Sequence, residues 1–184
     1  MRASPSPESH AAPDAALLAA IAAGDEPAFV TLVERYESRF YRVARRMLGD
    51  DREAEDAVQT ALLQIYRSAS AYRERWSGST WLYRVLTNVC VDLWRKRRRL
   101  APDEGEAARL ETSARGPGSI AAIDVDRALA RLPAEARAIL LLCYVEQMPY
   151  AEIARVRGIT INTVKTQLSR AKRHMRKHLS EVIS

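Results

Sequence analysis

Residues 150–179 read YAEIARVRGITINTVKTQLSRAKRHMRKHL, and their punctuation decides the fold class. Ile153 and Ala154 lie on one short helix, Gly158 permits a left-handed turn, and Thr160 is placed to cap a second helix. Val164, Leu168, Ala171 and Met175 then recur at spacings of three and four, the buried stripe of that second helix. Ala154 is small enough for close helix approach. This is the grammar of a helix-turn-helix. From Arg155 to Lys177 there are eight basic residues and no acidic one. A solvated face is the alternative reading, but such a run forgoes i, i+4 ion pairing, a cost that contact with phosphates repays.

Working upstream, Ile139, Leu142 and Cys143 form a stripe that stops before Pro149, and Val125, Leu129 and Leu132 form another that stops at Pro133. Residues 124–184 therefore read as a compact helical unit with 11 basic and 6 acidic side chains. Residues 101–123, APDEGEAARLETSARGPGSIAAI, are rich in Ala, Gly, Pro, Ser and acids with little to bury, and read as a flexible linker. Residues 14–100 form a second helical unit. Its long helix starts at Asp25 and Pro27, carries Phe29, Leu32, Val33, Tyr36, Phe40, Val43, Ala44 and Met47 on one stripe, and ends at Gly49. Another follows Asp50 and Asp51 with Ala54, Ala57, Val58, Ala61, Leu62 and Ile65 inside. A third starts behind Ser79 as its cap, buries Leu82, Val85, Leu86, Val89 and Leu93, and runs into Arg95, Lys96, Arg97, Arg98 and Arg99. A short opening helix spans Asp14 to Ala23, and residues 1–13 read as a disordered tail. The expectation is all-α: two small helical domains on a tether.

Composition narrows the function classes. The 184 residues carry 29 Lys and Arg against 23 Asp and Glu, a net charge of +6, which favours an anionic partner. Two cysteines, Cys90 and Cys143, cannot build a disulfide framework or a cysteine zinc site; both fall on buried stripes, so core thiols in a reducing, cytoplasmic setting are expected, with a redox bridge the alternative. No stretch approaches the roughly 18 apolar residues of a membrane span. A Walker loop, a Gly-rich dinucleotide turn, a nucleophile elbow and HExxH are all missing, so the chain does not read as an enzyme and no cofactor is expected. His174 and His178 have the i, i+4 spacing of metal ligands, but a third ligand is not evident.

The two units together resemble the extracytoplasmic-function (group IV) sigma factors of bacterial RNA polymerase, of the sigma-70 family. EAEDAVQTALLQIYR followed by STWLYRVLTNVCVDLWRKRRR is similar to their second region, and LARLPAEARAILLLCYVEQMPYAEIARVRGITINTVKTQLSRAKRHMRKHL to their fourth. The sequence departs from the family where Gln59 is followed by Thr60, Ala61 and Leu62 rather than by an acid and an aromatic.

The resemblance implies a transcription initiation factor that binds core polymerase, directs it to promoters and assists melting. On this footing Asp56, Gln59 and Leu63 dock on the clamp helices of the largest polymerase subunit, and the polymerase flap is a further contact of the chain. Tyr72, Arg73, Trp76, Ser77, Gly78 and Ser79 form a polar, aromatic loop suited to hold an unstacked base, and Arg84 and Asn88 on the following helix read the minus-ten element. Arg95, Lys96, Arg97, Arg98 and Arg99 hold phosphates. Thr160, Asn162, Thr163, Lys165 and Thr166 lie at the groove-entering end of the second unit's long helix, over the minus-thirty-five element, with Arg170 and Arg173 on phosphates. Trp81 is expected in the core. The resemblance also admits an anti-sigma protein as partner. The competing reading is a helix-turn-helix regulator that acts without polymerase, and the aromatic loop ahead of a basic helix is what such a regulator does not need.

Overall fold

A computed structural model describes residues 13–100 and 120–183, and among these the chain is helical throughout. In chain order the helices are α1 (Asp14–Ala22), α2 (Glu26–Leu48), α3 (Asp51–Ser68), α4 (Gly78–Leu100), α5 (Ile120–Ala130), α6 (Ala134–Tyr144), α7 (Tyr150–Arg157) and α8 (Ile161–Ile183), with a 3₁₀ turn at Ala69–Ala71. The expected tail falls almost entirely, and the expected linker mostly, outside the described residues. At its far end the linker gives way to α5 at Ile120, four residues before the second unit was expected to begin.

Helix boundaries follow the sequence's own stop and start chemistry. Asp25 caps α2 by accepting from the backbone N–H of Ala28 at 3.1 Å, and Gly49 closes that helix at a φ of +80°. Asp50 caps α3 through the N–H of Glu53 at 2.9 Å. The cap of α4 is Ser77 and not Ser79: its hydroxyl accepts from the Thr80 N–H at 3.2 Å, and the helix begins at Gly78. That register is imposed by packing. A Cβ on Gly78 would stand 2.4 Å from the Cβ of Asp14, so only glycine lets α1 lie across the start of α4.

The first unit packs α1, α3 and α4 around α2. Tyr36 and Phe40 of α2 meet Tyr83 of α4 at centroid distances of 6.1 and 5.3 Å, an edge-on aromatic group with the exposed surface of each ring near zero. In the second unit α5, α6 and α7 pack on α8, whose Val164, Leu168 and Ala171 are buried as the periodicity predicts.

The two units are docked on one another rather than standing apart. Helix α4 is covered on both sides: the expected stripe faces the first unit's core, while Tyr83, Thr87 and Val91, off that stripe, are also buried, and α4 packs against α6 and α7. Arg137 of α6, 1% exposed, reaches across to the carbonyl of Met47 at the end of α2. The thiol of Cys90 is buried and pushed up to about 12, chiefly by that burial, and Cys143 is half-buried; both are free thiols, as core cysteines should be.

Candidate nucleic-acid and polymerase interfaces

Four surfaces carry the residues singled out from the sequence. On α3 the apolar stripe turns Ala57, Ala61, Leu62 and Ile65 inward, so Asp56, Gln59 and Leu63 emerge together on the opposite side, and Leu63 is 53% exposed. Where the sequence departs from the family, Ala61 and Leu62 belong to the core and Thr60 is exposed. Tyr66, one turn beyond Leu63 and 40% exposed, stacks on Phe29 at 4.9 Å beside the exposed Val30. These extend the face with aromatic and aliphatic surface that the α3 pattern alone did not mark.

The crowded acids at the start of α3 divide by use. Asp50 is a cap, Asp51 pairs with Arg45 at 2.5 Å and accepts from the Tyr41 hydroxyl at 2.9 Å, and Glu53 pairs with Arg97 at 2.8 Å. The Tyr41 hydrogen bond, assisted by Arg45, holds the Asp51 carboxyl below its ordinary value. Glu55 and Asp56 remain exposed.

Between the 3₁₀ turn and α4 the chain builds an aromatic pocket. The Tyr72 hydroxyl donates to the Trp76 carbonyl at 2.7 Å and fixes the loop, while its ring meets Trp81 edge-on at 5.9 Å. Trp81 is half-buried against the core, as expected of it. The Trp76 ring carries the Arg84 guanidinium at 4.8 Å and that of Arg75 at 5.6 Å. An open cavity of about 530 Å³ lies alongside, lined by Asp14, Tyr72, Glu74, Trp76, Ser77 and Gly78 among others. Arg73 is turned away from it, donating to the carbonyls of Ser70 and Tyr72.

Further along α4, Arg84 and Asn88 share a side and both meet the second unit. Arg157 donates to Asn88 Oδ1 at 3.0 Å and to the Thr87 hydroxyl at 2.9 Å, and Arg84 donates to the Arg155 carbonyl at 3.4 Å. The basic end of α4 is not uniform. Arg97 ties Glu53 and the Leu48 carbonyl together, Arg95 pairs with Glu135 at 3.1 Å, and Arg98 covers Trp94, while Lys96 and Arg99 are exposed.

In the helix-turn-helix, Gly158 adopts φ +66° and the Thr160 hydroxyl accepts from the Thr163 N–H at 3.1 Å, so the turn and the cap are where the sequence put them. Asn162, Lys165, Thr166, Arg170 and Arg173 are exposed on α8, and Thr163 is half-exposed. Arg157 leaves the basic run: its side chain is 6% exposed and paired with Glu135 at 2.7 Å. His174 and His178 stack at 4.4 Å, with Arg131 2.8 Å from His178 Nδ1, and no group of three metal-ligating side chains occurs among the described residues. Among the same residues, no helix is long and apolar enough to cross a membrane.

Comparison with known proteins accounts for both units. The family described as Sigma-70 region 2 matches residues 32–100, and Sigma-70, region 4 matches residues 122–175. The ECF RNA polymerase sigma factor SigM of Mycobacterium tuberculosis is 35% identical over 171 residues, covering 89% of this chain and 83% of that protein. SigW of Bacillus subtilis, another ECF RNA polymerase sigma factor, is 29% identical over 173 residues, 86% and 92% of the two chains. Among solved structures, CnrH in complex with the cytosolic domain of CnrY superposes with a TM-score of 0.71 at 26% identity, over 91% of this chain and 97% of that one.

Proposed function

The chain belongs to the extracytoplasmic-function sigma factors of the sigma-70 family, and we propose from that premise how its residues divide the work of initiation. A sigma factor binds core RNA polymerase, directs it to promoters and assists melting; it is not the catalyst. The exposed α3 face of Asp56, Gln59 and Leu63, extended by Tyr66, docks on the clamp helices of the largest subunit, where a polar and apolar mixture on one helical face is what a reversible interface needs. The second unit meets the flap. Tyr72, Trp76 and Ser77 hold an unstacked base of the minus-ten element, and Arg84 and Asn88 read its neighbours. Arg95, Lys96, Arg98 and Arg99 hold backbone phosphates, while Arg97, engaged with Glu53, positions the end of α4 for them. An anti-sigma protein is a further partner, and CnrH, held by a domain of CnrY, supports a protein-bound state for such a pair of units.

The observation that carries this reading is the exposed start of α8. Thr160 caps it, Val164 and Leu168 anchor it, and Asn162, Lys165 and Thr166 are left outside at the end that enters a major groove. Run-off transcription with purified core polymerase on genomic promoter fragments tests it: core-dependent, sequence-specific transcripts are expected, and their absence with an otherwise active core would overturn it.

Reading and holding separate within α8. Lys165→Ala should relax preference at one or two positions of the minus-thirty-five element, costing about 1–3 kcal/mol on the preferred sequence and less on others. Arg173, about two turns further along, should on replacement by Ala weaken all sequences equally and flatten the salt dependence by about one counterion. Holoenzyme binding to a library of upstream elements at several salt concentrations measures both, and identical profiles would mean that the helix is wrongly placed in the groove.

Trp76→Ala should leave polymerase binding and duplex recognition intact while reducing open-complex formation, since stacking on an aromatic contributes about 1–3 kcal/mol per base. Permanganate reactivity of opened thymines is the measurement; an unchanged signal removes Trp76 from melting.

A further inference from the structure

Two exposed tyrosines of the second unit converge on one cation. Tyr144 ends α6 and is 51% exposed, and Tyr150 opens α7 and is 37% exposed. Val30, Leu63 and Tyr66, comparably open on the first unit, belong to or adjoin the face assigned to polymerase, whereas the second unit's pair has no such assignment. The Lys172 ammonium of α8 lies 5.2 Å from the centre of the Tyr144 ring, donates to its hydroxyl oxygen, and has Tyr150 as a further neighbour. That hydrogen bond holds the ammonium above its ordinary pKa, so the charge is constant through the physiological range.

Position on α8 decides what this cluster can meet. Lys165 and Lys172 are seven residues apart, about two helical turns, so they share a flank, whereas Arg170 and Lys172, two apart, point to nearly opposite ones. A helix lying in the major groove has a phosphate backbone on either side, so a cation on each flank meets a different strand. The donor set suits an anionic oxygen. Of the three ammonium protons the tyrosine oxygen takes one, which leaves two N–H groups and the Tyr144 O–H to donate to a phosphate. Glu146 and Glu152, acids close in sequence to the two tyrosines, are drawn instead to the first unit, by Arg39 at 2.8 Å and by the Thr80 hydroxyl at 3.1 Å. Their charge is spent away from Lys172.

We propose that Lys172, Tyr144 and Tyr150 form a backbone clamp of the helix-turn-helix unit: they hold a phosphate of one strand beside the minus-thirty-five element, while Arg170 holds the other strand across the groove. The inference rests on the placement of α8 in the major groove given above. Holding both walls fixes the rotation of α8 about its own axis, and with it the bases that Lys165 and Thr166 face. The tyrosines position the helix and read no sequence.

The test uses holoenzyme and a duplex carrying the upstream element it prefers, with uncharged methylphosphonates replacing phosphates one at a time along each strand. Lys172→Gln should weaken binding about three- to tenfold on every sequence and flatten the salt dependence by about one counterion. Tyr144→Phe and Tyr150→Phe, which keep the rings and remove only the hydroxyls, should each cost about two- to threefold. These losses should vanish at one methylphosphonate position, and the corresponding position for Arg170→Gln should fall on the opposite strand. All four exchanged side chains are exposed, and thermal melting followed by circular dichroism verifies that each variant folds. Unchanged affinity for any of the three clamp variants would overturn the proposal. So would a phosphate on the strand that Arg170 holds, or a loss that no methylphosphonate abolishes, as contact with an acidic protein surface would give. Lys165→Ala keeps the two readings apart: a sequence profile it leaves untouched counts against α8 in the groove, while a relaxed profile with Lys172→Gln indistinguishable from the unaltered chain leaves that placement standing and removes the clamp.

Discussion

Arg137→Ala should destabilise the chain by about 3–5 kcal/mol, the largest loss expected from any single substitution here. The side chain is 1% exposed, and its guanidinium donates to the carbonyls of Met47, of Ala130 at 2.5 Å and of Leu132 at 3.1 Å. Met47 lies in the last turn of α2 and Ala130 ends α5, so these are carbonyls that have no partner within their own helices. They are also the negative ends of two helix dipoles, which helps to compensate the buried charge. Alanine would leave all three carbonyls buried without this donor and open a cavity beside them. Lysine would keep the charge but lose the planar fork that spans them, so Arg137→Lys should fall between. Urea unfolding measures the effect, and a loss below about 1 kcal/mol for the alanine variant would show that water satisfies these carbonyls instead.

Arg137 also shows where the sequence stopped being legible. Helices such as α2 and α8 were readable because one side faces the core and the other faces water, which imprints the 3.6-residue period on the sequence; their caps at Asp25, Gly49, Gly158 and Thr160 carry their own chemistry. The exposed trio Asp56, Gln59 and Leu63 followed from the same logic, since it is what the α3 stripe leaves outside. Helix α4 is different: Thr87, off its stripe, is buried and meets Arg157 of a unit that begins more than twenty residues later, and no local period encodes that. Arg157 was misread, and Arg137 went unread, for a related reason. Arg157 sits in a basic run and Arg137 in AEARAILLL, and charge alone places both at the surface. A usable signal did exist, namely that Arg137 is the one cation in an apolar stretch too hydrophobic to have a solvent face, and that the second unit, otherwise basic, spends acids at Glu135, Glu146 and Glu152. The Ser77 cap was missed because two serines compete for it, and only the close approach of Asp14 to Gly78 decides between them.

Bound to core polymerase, the chain should hold a promoter fragment carrying both elements at least about a hundredfold more tightly than it does alone. Two effects act in the same direction. Fixing the units at the spacing of the two elements turns the second contact into an intramolecular one, which multiplies affinity by about 10²–10⁴ when the geometry fits. Releasing Asn88 from Arg157, and Arg84 from the Arg155 carbonyl, removes the fraction of chains in which the minus-ten side is occupied. The comparison must be made at one salt concentration, because counterion release alone moves affinity by orders of magnitude. Fluorescence anisotropy of a single labelled fragment, titrated with the chain and then with the assembled holoenzyme, gives the ratio. The docked arrangement also fixes which half of the promoter the free chain can feel: Lys165, Thr166 and Arg170 are exposed on α8, whereas Asn88 and Arg84 are engaged. Scrambling the minus-thirty-five element should therefore weaken what binding the free chain has, and scrambling the minus-ten element should leave it unchanged. In holoenzyme both changes should cost affinity, and a free chain that discriminates the minus-ten element as sharply as holoenzyme would mean that α4 is never hidden.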